Sequence, residues 1–300
     1  MQFARFLAPA LVLSIAVVAR ADDAKTYDLG VKPVFKVGEL TTATTHDAGA
    51  TDVSVAAADG SPLGTHHEKE VTEFTATHKV IEVDAEGRVT KELIHFSAWK
   101  HAKGDVEASE LTGVHLEVSG REATRAWKIL TPGVNVTPPT KEWLDKKFGP
   151  GEKEGEFIDT LKPSKPVTIG ESWDGDVAKV AAAMGKGMKF DAAKSTVKAT
   201  LVGVEGDVAT IHVELKLQAS DFPAGPDKTV KILEGGAFEI VADGRVPLAA
   251  SARGDGGSAT MKLSVKTEGE KESTVTVVVE NTMESSTQAG GEMPEVPAAK

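Results

Sequence analysis

Apolar and polar side chains alternate in short runs along most of this chain. Ile211, Val213, Leu215 and Leu217 fall on one side of an extended backbone, and His212, Glu214, Lys216 and Gln218 fall on the other. Val114, Leu116 and Val118 oppose His115, Glu117 and Ser119 in the same way. A period of two marks strands with one buried face and one wet face, the usual state of antiparallel sheets. Turn chemistry separates the runs. Asp84-Ala85-Glu86-Gly87 divides Val80–Val83 from Arg88-Val89-Thr90, and Ser119-Gly120-Arg121 follows Leu116–Val118. Glu205-Gly206-Asp207 divides Leu201–Val204 from Val208–Leu217. Further turns are expected at Ala242-Asp243-Gly244 and at Glu268-Gly269-Glu270. Glycine supplies the positive φ of tight hairpin turns, and the flanks are rich in Val, Thr and Ile.

Helical signals are few. Thr140–Phe148 follows Pro138-Pro139 and stops at Gly149-Pro150; Asp176–Met184 starts on a capping Asp176 and stops at Gly185. The expected fold is mainly β: two antiparallel meander halves sharing a core, with two short helices. The division runs 1–21 signal peptide, 22–33 irregular leader, 34–148 first β-rich half, 149–166 connection, 167–282 second half and 283–300 disordered tail. The tail assignment rests on its Ser, Gly, Pro and Ala content, which buries little apolar surface. Val37-Gly38-Glu39 and Ile169-Gly170-Glu171 open the two halves alike, which points to an internal duplication.

The N-terminal run adds a destination. Arg5, the apolar stretch Phe6–Val18 and the small residues of Ala19-Arg20-Ala21 follow the order of a secretory signal peptide. The apolar stretch is shorter than the ~20 residues that span a bilayer. The expectation is therefore export, periplasmic or extracellular, with the mature chain starting at Asp22 and no integral membrane segment. The chain has no cysteine, so the fold must stand without disulfides, and thiol chemistry is absent. A formal net charge of −11 with interspersed signs disfavours nucleic-acid binding, which needs clustered Lys and Arg.

The chemistry-bearing residues form no decisive motif. Seven of eight histidines lie between His46 and His115, and hairpins could bring His66, His78 and His95 together. They lack metal-ligand spacing, and His115 and His212 are expected on solvated strand faces, so no metal site and no cofactor are assigned. Gly170-Glu171-Ser172-Trp173-Asp174 lacks the second glycine of a nucleophile elbow and is taken as a strand start with Trp173 packed on the sheet. Asp174-Gly175-Asp176 is incomplete as a calcium loop. Arg253-Gly254-Asp255 matches an adhesion tripeptide of three common residues. Trp99, Trp127, Trp143 and Trp173 are dispersed and are expected in cores. No catalytic residue is assigned, and ligand-binding residues are unknown.

With its export signal, the Gly-Glu motif opening each half, above all Pro166-Val167-Thr168-Ile169-Gly170-Glu171-Ser172-Trp173, and its paired hairpins, the chain resembles an uncharacterised family of exported bacterial β-rich proteins. That resemblance implies no activity. A looser, architectural likeness is to periplasmic lipoprotein-carrier half-barrels, whose curved sheet holds a lipid. Three readings follow: an exported binding or carrier module for an apolar small molecule or lipid, an envelope or extracellular structural and interaction protein, and a hydrolase built on carboxylates or histidine. A deep apolar cavity would favour the first.

Overall fold

The computed structural model describes residues 25–151, 160–183, 189–225, 228–254, 256–269 and 273–298. The signal segment 1–21, the new N-terminus at Asp22, residues 152–159 of the connection, the helix stop at Gly185, Asp255 of the adhesion-like tripeptide and Glu270 of the last expected turn lie outside them. The first half contributes β1 (Leu40–Ala56), β2 (Pro62–Val83), β3 (Val89–Lys103), β4 (Val106–Ala108), β5 (His115–Ser119) and β6 (Ala126–Ile129), then helix α1 (Pro138–Phe148). The second contributes β7 (Ser172–Asp174), helix α2 (Val177–Ala183), β8 (Lys189–Phe190), β9 (Thr196–Glu205), β10 (Val208–Gly225), β11 (Lys228–Pro247), β12 (Gly256–Glu268) and β13 (Thr274–Ala289).

Among the described residues all thirteen strands join one sheet, in the order β6-β5-β3-β2-β1-β13-β12-β11-β10-β9-β7, with β4 beside β3 and β8 beside β10. Every one of these pairings is antiparallel. The fold is mainly β, as the alternation predicts, with the short helices α1 and α2 among the described residues. The halves meet where β1, the first strand, pairs with β13, the last. The sheet's outer ends are the short strands β6 and β7, which leave little open edge for another chain to extend.

Directly opposed residues share a face, so the register shows how the sheet is painted. One row runs Trp99, Phe74, Thr45, Ser285, Gly257, Gly244, Ile211, Leu201. Another runs His101, Thr72, Asp47, Met283, Ala259, Ala242, Val213, Ala199. In these two rows large apolar groups stand toward the ends, and small or polar ones, Met283 apart, stand in the middle; the row Thr51, Val279, Leu263, Phe238, Leu217 on the same face is apolar from β13 onward. The opposite face carries cross-strand pairs of opposite charge: His46–Glu73 at 2.9 Å, His212–Asp243 at 2.8 Å, Lys216–Glu239 at 3.1 Å and Lys262–Glu280 at 3.3 Å. That face is wet.

The buried side chains do not form the single shared core expected from sequence. They form two clusters on the same face. One gathers Phe74, Phe96, Trp99, Leu116 and Val118 under Leu144 and Phe148 of α1. Trp143 sits at its centre, edge-on to Phe74, Phe96, Trp99 and Phe148 at 5.6–6.1 Å. The other gathers Val197, Leu201, Ile211, Val213, Leu215 and Leu217 under Leu29, Leu161, Val167 and Val180. Each half therefore has its own cover, because irregular segments supply apolar groups that helix counting leaves out.

The paired opening motifs have the same local structure. Gly38 and Gly170 both take positive φ, 84° and 86°, and each donates to a long strand further along the chain, at Val80 O of β2 and Leu201 O of β9. Glu39 and Glu171 each accept with a side-chain oxygen from the backbone amide three residues earlier, at 3.2 and 3.0 Å. Two expectations fail. Ala242-Asp243-Gly244 is not a turn, because β11 runs straight through it, with Asp243 bonded to His212 across the ladder. The reversal falls between Gly225 and Lys228 instead. Residues 283–289 are not a disordered tail, since they complete β13 against β1 and pair with β12 as far as Ser286.

Candidate functional site

A cleft of about 880 Å³ opens on the apolar face between the two clusters. Its floor includes Thr41 and Ala43 of β1 and Thr287 of β13. Ala43 and Thr287 are directly opposed, and such small side chains leave room where the neighbouring rows are filled by Phe and Leu. Val80 and Val118 line one side, Val246 and Pro247 another, and Leu29 and Phe35 come from the leader and the chain just after it.

The leader is irregular but firmly placed. Tyr27 and Val167 exchange backbone hydrogen bonds of 2.8 and 3.0 Å. The Val34 amide donates to Ala250 O, and the next amide, Phe35, donates to Gly87 O, both at 2.8 Å. Ala250 follows β11 and Gly87 lies between β2 and β3, so the two turns lean toward each other across the ends of β1 and β13. Arg253 locks this crossing. Its guanidinium bonds both Glu39 oxygens at 2.5 and 2.6 Å, donates to Val34 O at 3.0 Å and lies 4.2 Å from the Phe35 ring centre. Burial pushes the Glu39 carboxyl up, but the Arg253 hydrogen bond and charge together with the Lys36 amide hold it below its ordinary value. Arg253, which stands out in sequence only within an adhesion-like tripeptide, is a clasp.

Glu92 is the carboxylate best fixed in the cleft. It accepts from His78 Nδ1 at 2.9 Å and lies 3.6 Å from Arg125. Burial raises its pKa, and His78 and Arg125 outweigh that, leaving it below the ordinary value. Arg121 pairs with Asp84 at 3.3 Å on the rim. The intervening turn holds Glu122 at φ 51°, a left-handed backbone that non-glycine residues rarely adopt.

The three candidate histidines do not converge. His66 lies near Glu68 at 3.9 Å, His78 bonds Glu92, and His95 lies against His115 with ring centres 4.6 Å apart and planes tilted by 38°. His115 is not solvated as expected. It is 2% exposed, and its Nε2 donates to Pro294 O at 3.0 Å, because the segment after β13 crosses the polar face and covers it. His212 is half-exposed and pairs with Asp243. Among the described residues no group of three His, Asp or Glu is placed to hold a metal ion. Trp173 does pack on the sheet, its Nε1 donating to Leu161 O at 2.7 Å, and Asp176 does cap α2 through the Lys179 amide.

A smaller cavity of about 370 Å³ lies on the same face beside α1, lined by Asp47, Glu68, Glu70, Trp143 and Lys147 among others. Burial raises the Asp47 pKa and lowers that of Lys147. Neither residue stands out in the sequence, because both are ordinary charges in polar stretches.

The fold and cleft define an all-antiparallel single-sheet protein with an apolar, partly walled site. No family model matches the chain and no curated protein matches it, so the resemblance to an exported bacterial family gains no support. A solved structure described as lipid-protein interactions in lipovitellin is similar over 87% of this chain and 26% of its own, at 11% identity and a TM-score of 0.35. The chain thus spans about a quarter of that structure. Among the described residues no helix is long and apolar enough to cross a membrane.

Proposed function

We propose that this protein is an exported binding or carrier module that holds an apolar small molecule or lipid in the cleft over β1 and β13. The observation that carries the reading is the cleft itself: about 880 Å³, within the ~300–1,000 Å³ range of small-molecule sites. It is floored by small residues and walled by Leu29, Phe35, Val80, Val118 and Val246. Glu92 is ionised and shared between His78 and Arg125, which suits an anchor of the wall better than a hydrolytic acid. Export rests on the pattern of residues 1–21.

The test is to purify the protein from its own host and record native mass spectra, then titrate it with a fluorescent apolar probe. A co-purifying ligand, or saturable probe binding that Ala43→Phe abolishes with the fold intact, supports the carrier. Probe binding unaffected by Ala43→Phe removes the cleft from the reading. No binding at all favours the structural and interaction protein.

A further inference from the structure

We infer that the molecule held in this cleft is an uncharged amphiphile headed by a hydroxyl group, with His78 and Thr41 bonding that hydroxyl. The inference rests on the carrier reading and adds the head group. His78 lines the cleft, and its Nδ1 lies 2.9 Å from Glu92 Oε2. An ionised carboxylate can only accept, so Nδ1 carries the proton and the ring is held in one orientation. Its Nε2 has no partner among the described residues, and 24% of the side chain is exposed. Thr41 stands directly opposite His78 across the β1–β2 ladder, which brings the two Cβ atoms to about 5 Å. Thr41 also lines the cleft, and its hydroxyl has no partner among the described residues.

Pairing with an acid does not by itself single out His78. His46, His67 and His212 also meet acids through Nδ1, at 2.9, 2.6 and 2.8 Å. Their side chains are 45%, 63% and 33% exposed, and none of them lines the cleft. Those pairs are solvated struts between strands. His78 is the most enclosed of the four, and its free nitrogen is a fixed polar atom beside the apolar wall that Val80 and Val118 build. A neutral ring accepts at Nε2, and a protonated ring donates there. A hydroxyl meets either state because it both donates and accepts, whereas a carboxylate, ester or ether meets only the second. The Thr41 hydroxyl can take whichever role His78 leaves open. Ala43 and Thr287, next along the floor, leave room for the apolar chain. Arg88, Lys91, Arg121 and Arg125 at this cleft pair with acids, so they do not require an anionic head.

Three probes separate the possibilities, each measured by displacement of a fluorescent apolar dye from the intact protein. Dodecanol and its isomer undecyl methyl ether differ in whether the oxygen carries a proton, and dodecanoate adds a charge. The alcohol should bind about tenfold more tightly than the ether, the effect of one hydrogen bond that the ether leaves unmade. Apolar transfer alone gives the opposite order, because the ether is the less polar isomer. Thr41→Val and His78→Phe should each bring the two isomers to within about twofold. Thermal melts confirm folding, and Thr41→Val, which exchanges a hydroxyl for a methyl, serves if His78→Phe does not fold. Loss of the alcohol preference in either folded variant supports the inference. Equal binding of the two isomers to the unaltered protein overturns the hydroxyl head and leaves the carrier reading standing. Dodecanoate binding more tightly than dodecanol overturns the uncharged head. Binding of none overturns both the inference and the carrier reading. An alcohol preference unchanged in every folded variant also overturns the inference, because the hydroxyl is then read elsewhere.

Discussion

Arg253 and Glu39 tie together more of the structure than their place in the sequence suggests. They connect the turn after β11 to the start of β1 and hold the leader between them. A two-pronged, partly buried pair contributes about 2 kcal/mol, so Arg253→Ala is expected to destabilise by that order in urea melts. The pH dependence has a definite sign. The folded-state pKa of Glu39 lies below its ordinary value of 4.5. Its contribution is therefore fully present above about pH 4.5 and is lost as pH falls through the lower folded value. Glu39→Gln should flatten that acid limb of the stability curve and leave its shape above about pH 6 unchanged. An unaltered acid limb in Glu39→Gln would show that the clasp does not couple to stability. Glu39 and Arg253 each stand out in a short motif, but nothing in the sequence links them, because they are 214 residues apart.

At the scale of elements, what was legible tracks side-chain size. β9 and β10 were readable because they pack one face with Val, Ile and Leu against a cluster, so period two is loud. β13 past Thr282 was not, because apart from Met283 its residues are small or polar, and Thr287 among them floors the cleft. A segment that builds a cleft thus has the composition of a disordered tail. Asp243-Gly244 misled for a related reason: turn-forming residues sit mid-strand, where Gly244 faces Gly257 on one neighbour and Ile211 on the other. Helix α1 offers the sharpest test of the two-cluster core. Leu144 is fully buried, and Leu144→Ala should cost about 3 kcal/mol, read as a shifted denaturation midpoint. Amide exchange should rise in β3 and β5 while β9 and β10 stay protected. Equal loss of protection in both halves would restore a single cooperative core.

For the whole molecule, the arrangement explains how an acidic chain without cysteine can present an apolar cavity. Two separately covered clusters flank the cleft, the second reaching to Leu263 and Val265 of β12. Thr41, Ala43 and Thr287 leave the space between them. The leader and Arg253 then draw two distant turns together over one end of it. The signal-like N-terminus and the cleft fit the one task proposed for them, holding an apolar molecule outside the cytoplasm. The half-equivalence marked by Gly38 and Gly170 adds that the cleft lies where two similar units join, not within either.

That junction also sets a timetable. β1 leaves the ribosome early and β13 much later, and Thr42 bonds the backbone of a residue 248 positions further on. Through most of synthesis β1 has a partner only in β2, and its other edge is a row of unanswered amides and carbonyls facing whatever is near. Contacts this distant in sequence form slowly, after the local hairpins. In refolding followed by pulsed hydrogen exchange, amides of β10 and β11 should become protected first, and those bridging Thr41–Ala56 to Thr274–Ala289 last. The cleft therefore comes into being only at the final step, and a chain whose translation stops short of β13 keeps both of its clusters yet has nowhere to put a ligand. Early protection along β1 and β13 would mean that the two ends find each other before the halves are built.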